Sequence, residues 1–172
     1  MKIKQTLLGL SIAGALLSSQ MVSAHSSIVE KEIIEGQRAY LTIQVPHGCK
    51  GNPTKKISIQ MPNTQDDLDD EWAFTSVQPV LSWYKIKTET DKMTEQVNAI
   101  NISGITLPSA YVLKAEFRGR APLLPHGVES QKLNFDIIQY CTDNTVSEWT
   151  VENGKAASVT VVKAPEGHDG HH

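Results

Sequence analysis

Nine short stretches of the chain alternate apolar and polar side chains with a period of two. They are AYLTIQV (39–45), KKISIQM (55–61), EWAFTSV (71–77), SWYKIKT (82–88), VNAINIS (97–103), YVLKAEF (111–117), KLNFDIIQY (132–140), VSEWTVE (146–152) and ASVTVVK (157–163). Alternation puts successive side chains on opposite faces of a strand, and these stretches are rich in β-branched and aromatic residues that suit a half-buried pleated surface. Turn chemistry separates them: HGCKGNPT, MPNTQDD, GITLPS, RAPLLPHG, CTDNT and ENGK. No segment of twelve or more residues shows a helical period. Many short strands at this spacing predict an all-β chain, an antiparallel β-sandwich of the immunoglobulin or fibronectin type, in one domain.

The first 24 residues follow a different pattern. Lys2 and Lys4 precede an apolar run from Leu7 to Leu17, and Val22-Ser23-Ala24 places small residues where a signal peptidase cuts. This predicts a signal peptide over 1–24 and an exported chain whose first residue is His25. No later apolar stretch approaches the roughly 18 residues of a membrane span, so no membrane insertion is expected.

With Lys2 and Lys4 removed, 14 basic and 19 acidic side chains remain, a net charge of −5. That acidic balance, without a basic stripe, argues against nucleic acid as a partner. The two cysteines, Cys49 and Cys141, predict one disulfide in an oxidising compartment, with a copper or zinc thiolate pair as the rival reading. A bridge would close a loop of about 93 residues, worth roughly 4 to 5 kcal/mol on the chain-entropy account. The acidic run PNTQDDLDDE (62–71) lacks the alternating ligands and central glycine of a calcium loop and is expected to be a solvated loop.

Candidate chemistry begins at residue 25. A free N-terminal histidine offers its α-amine and Nδ1 as one six-membered chelate, and Cu(II) prefers such tetragonal nitrogen ligands. The chelate exists only after cleavage, so processing would create the site. The tail from 164 carries His168, His171 and His172, a flexible set of accessory metal ligands. Trp72 and Trp83 are expected to pack in the core, whereas the pattern does not assign a face to Trp149. His47 and His126 each precede a glycine in a turn. No Ser/His/Asp, Cys/His or phosphate-loop arrangement is present.

Several of these segments occur together elsewhere. An N-terminal AH followed by VPHGCKGNPTKKISIQMP (45–62), PVLSWYKIKT (79–88), GITLPSAYVLKAEFRGRAP (104–122) and VSEWTV (146–151) resembles, in order, the YcnI-like family of exported copper-binding proteins, in its proteobacterial branch. The resemblance runs over roughly 25 to 163. It implies an immunoglobulin-like sandwich in the periplasm that holds Cu(II) through a single-histidine brace for copper homeostasis or delivery, without enzymatic activity. His25 would supply the amine and imidazole, a strand carboxylate would complete the sphere, and Trp149 would lie beside the metal. Another copper-handling protein would be the partner. The family's carboxylates, in D-E-F-x-F-R-G, fall here at Leu113 and Lys114, which leaves Glu116, two residues on, as the available ligand. Two other readings stand beside this one: a binding sandwich without metal, and a histidine-brace oxidative enzyme, which would need His47 or His126 as a second histidine.

Overall fold

The computed structural model describes residues 25–46, 49, 51–62, 74–80, 85–92 and 97–165. The expected signal peptide, His47, the acidic run beyond Pro62, Trp72, Trp83 and the three tail histidines lie outside these residues. Strands in chain order are β1 (Ser27–Ile28), β2 (Glu32–Ile34), β3 (Arg38–Pro46), β4 (Thr54–Gln60), β5 (Thr75–Pro79), β6 (Lys85–Thr90), β7 (Val97–Leu107), β8 (Val112–Arg120), β9 (Ser130–Cys141), β10 (Val146–Trp149) and β11 (Ala157–Val162). Among the described residues there is no helix, and hence none long and apolar enough to cross a membrane. All nine alternating stretches contain a strand. The two strands that alternation did not predict, β1 and β2, are two and three residues long, too short for a period to register.

Two sheets form the sandwich. One runs β1-β3-β8-β5; the other runs β2-β11-β9-β4-β7-β6, with β10 also paired to β9. The segment between β1 and β2 carries the chain from the first sheet to the second. Where it leaves, the Glu30 carboxylate accepts bonds from the Thr42 amide (2.7 Å) and hydroxyl (3.0 Å), completing β3's ladder beyond β1. Where it arrives, the Lys31 carbonyl accepts from the Thr160 amide (2.9 Å). This crossing makes β2 parallel to β11, so the second sheet is mixed where the pattern predicted antiparallel pairing alone. A strand that switches sheets without reversing cannot pair otherwise.

The inner face of the first sheet buries Leu41, Ile43, Val45, Leu113, Ala115 and Phe117 against Ile57, Ile59, Ile102, Leu133, Phe135, Ile137, Val159 and Val161 of the second. Fully burying one such aliphatic or aromatic side chain contributes about 1.5 to 3 kcal/mol. Phe74, Phe117 and Phe135 meet edge-on or tilted, with ring centroids 5.9 to 6.1 Å apart. Gly119 makes that cluster possible, because a Cβ there would lie 2.2 Å from the Phe74 ring.

A corner that gathers the first residue of the expected mature chain

β1 opens the first sheet at its edge, with Ser27 opposite Gln44 and Ile28 opposite Ile43 on β3. Continuing that register by two residues puts His25 level with Pro46, which is itself opposite Val112 on β8. Alternation turns Ile28 and Ser26 inward and Ser27 and His25 outward. Accordingly Ser26 is 3 % exposed and His25 is exposed.

Trp149 belongs to the second sheet. It stands opposite Ile137 on β10 and packs, half-buried, against the core. Glu32 pairs in parallel with Thr160, so tracing back from Glu32 towards His25 follows β11 back past Ala157 towards β10. The turn between β10 and β11 is held by the Asp136 carboxylate, which accepts from the Val151 amide (2.7 Å), and by Asn153, whose side chain bonds the Thr150 amide and the Glu148 carbonyl. Trp149 therefore lies opposite a residue four positions in from Cys141, the end of β9, while His25 precedes the start of β1 in the other sheet.

Glu116 is not brought there. It faces outward on β8 opposite Thr42, four residues along from the level of His25 and two strands across. Strand rise and spacing put the two Cα atoms about 16 Å apart, too far to share one ion. Lys114, nearer to that level, stands opposite Gln44. Among the described residues no three His, Cys, Asp or Glu side chains are grouped so as to hold a metal. Among the described residues, the donors at the corner therefore fit a two-nitrogen chelate from a processed His25; His47, one residue past Pro46, lies outside them. The Ser26 hydroxyl, buried immediately behind His25, has no hydrogen-bond partner. Leaving such a group unpaired is costly, so it marks a place where a non-protein partner would be stabilising.

The same end of the sandwich is stapled. Cys49, just past β3, and Cys141, the last residue of β9, form a disulfide with Cα atoms 5.7 Å apart, which removes both thiols as metal ligands. Beside it the buried Gln139 amide donates to the Thr54 hydroxyl. The β9–β10 turn docks onto Asn52 and the start of β4 through Asn52 Nδ2 to Asp143 (2.7 Å) and Lys55 Nζ to Asn144 (2.7 Å). Bonds from the Thr145 hydroxyl and amide hold the Asp143 carboxyl below the usual carboxylate range. His126 stands at the other end, in the β8–β9 connection beyond Arg120, and so cannot serve as a second histidine beside His25.

Two sheets sharing one core, with a strand that switches between them, define an immunoglobulin-like β-sandwich. The chain belongs to the family described as a domain of unknown function (DUF1775), the family of the YcnI-like proteins, whose profile matches residues 25–166. Among curated proteins no relative matches the sequence. The fold is similar to that of an uncharacterised protein from Nocardia farcinica with an immunoglobulin-like fold: TM-score 0.60 and 14 % identity over 82 % of this chain and 99 % of that one. It is also similar to a cohesin module of a family 33 glycoside hydrolase from Clostridium perfringens, with TM-score 0.50 and 11 % identity over 81 % and 95 % of the two chains. At these identities the likeness concerns the fold alone.

Proposed function

We propose that this is an exported, periplasmic protein that carries Cu(II) as cargo, bound by the amine and imidazole of His25 once the signal peptide is removed. One observation carries the reading: the family match opens at residue 25, where an exposed histidine stands two residues before the first strand. With Glu116 about 16 Å away, the described residues assign no further protein ligand, and positions on the ion are left for solvent or for a donor from a copper-handling partner. Such an open sphere suits transfer of the ion, so the role is holding and delivery.

The test is electron paramagnetic resonance of residues 25–172 with one equivalent of Cu(II), beside the same protein carrying one extra residue before His25. A single axial species with nitrogen couplings that the extension abolishes is the expected result. Identical spectra would remove His25 from the site. A second reading, a binding sandwich without metal, is favoured by Lys114, which puts a cation where the family carries a carboxylate; identical spectra would make it the leading one.

A further inference from the structure

The chain has three arginines, Arg38, Arg118 and Arg120, and all three lie at one end of the outer face of the first sheet. Arg38 on β3 is directly opposite Arg120 on β8, and Arg118 is opposite Tyr40. Like charges directly opposite one another across a ladder repel. Among the described residues none of the three is ion-paired. Glu116 is the one acidic side chain in β8's outward row, which also holds Lys114, so the three arginines, Lys114 and Glu116 leave a surplus of three positive charges in a chain whose net charge is −3.

The surroundings shape this charge. Gln78 Oε1 accepts from both Nε (2.7 Å) and an Nη of Arg118, which fixes the plane of that guanidinium. Arg120 is turned aside by a bond to the Gly36 carbonyl. β5 is bulged between Thr75 and Gln78, and Ser76 in the bulge has φ of 54°, a left-handed conformation that a serine adopts only where its surroundings impose it. The result is a shallow, open cleft lined by Arg38, Ser76, Gln78, Arg118 and Gly119.

We propose that this cleft binds a small dianionic oxyanion, a phosphate group or a paired carboxylate. The planar guanidinium fork matches both bidentately, and a charge of −2 offsets most of the surplus. The site is independent of the copper reading. Arg38 lies eight residues along β3 from Pro46, about 26 Å from the level of His25.

Three arginines make the test clean, because the ¹⁵N-labelled protein has three Nε–Hε signals to follow. The metal-free protein, purified after export, is titrated with inorganic phosphate and separately with succinate, at ionic strength held constant with sodium chloride. The signals of Arg38 and Arg118 are expected to shift saturably with at least one of the two anions; which one binds tighter separates the phosphate from the dicarboxylate source. Arg38→Gln, an exposed change, and Arg118→Lys, which keeps the charge but loses the fork, should each weaken binding roughly tenfold, the scale of one charge-assisted hydrogen bond. One extra residue before His25 should change nothing. Shifts that grow linearly with both anions, or an affinity unaltered in Arg38→Gln, overturn the proposal.

Discussion

The two ends of this sandwich are secured by different physics. At the end that holds His25 the chain is stapled by the Cys49–Cys141 disulfide, backed by the Thr54–Gln139 bond and by Asn52 and Lys55 reaching the β9–β10 turn. At the end that holds the arginines there is no covalent link; Phe74 slots over Gly119 against Phe117 and Phe135. A first residue is prone to fray, and a site built on it gains most from a rigid neighbourhood nearby. A cluster of repelling cations needs the opposite arrangement, a packed floor that keeps the charged heads at the surface.

The contrast can be broken at the staple. Replacing Cys49 and Cys141 together by serine should lower unfolding stability by roughly 4 kcal/mol, following the long loop that the bridge closes. Urea midpoints of the variant and the parent that agree to within about 0.5 kcal/mol would show that non-covalent contacts already hold that end.

At the other end, Gly119→Ala forces a methyl into the Phe74 ring and should cost about 1 to 3 kcal/mol. It should also disturb the arginine cleft while leaving a His25-dependent copper spectrum unaltered. If the copper signal changes as much as the anion affinity, the two ends are not independent.

Acid separates them further. Because the amine and imidazole must be deprotonated to bind, Cu(II) affinity should fall steeply below about pH 6. An affinity that stays flat from pH 8 to 5, measured by competition with a chelator, would move the copper onto carboxylates.

The smallest expected effect concerns Glu35. The Leu124 amide first, then the Ala164 amide, hold its carboxyl below the usual glutamate range. A depressed carboxylate pKa means that the contribution is fully present above the unfolded value and is lost as the pH falls through the folded one. Glu35→Gln should therefore lower the thermal midpoint slightly at pH 7, by an amount that shrinks as the pH falls through the depressed carboxyl titration. A variant whose midpoint tracks that of the parent at every pH would remove this carboxylate from the acid response.

Much of the architecture was legible along the chain. Alternation located nine strands, and two cysteines in an expected exported chain indicated their own bridge. Asparagine and glycine in ENGK announced the β10–β11 turn, where Gly154 has a φ of 70°. The arginine cleft left only a faint signal. Arg118 and Arg120, two apart on a strand, had to share a face, yet nothing nearby in sequence pointed to Arg38. Glu116 misled for the same reason: two-residue spacing places it on the correct face but says nothing of how far along the sheet it lies from His25.

By itself, then, the sequence determined the class of fold, the pairing of its cysteines and the histidine that an expected cleavage would expose. Each of these follows from local alternation, from residue chemistry or from a short processing pattern. The tertiary structure decided which strands neighbour one another, where β1 crosses to become β2, that Glu116 stands well along the sheet from the level of His25, and that three distant arginines share one end of a face. Those outcomes depend on register and sheet switching, which arise from contacts between residues up to a hundred or more positions apart and leave no period in the chain.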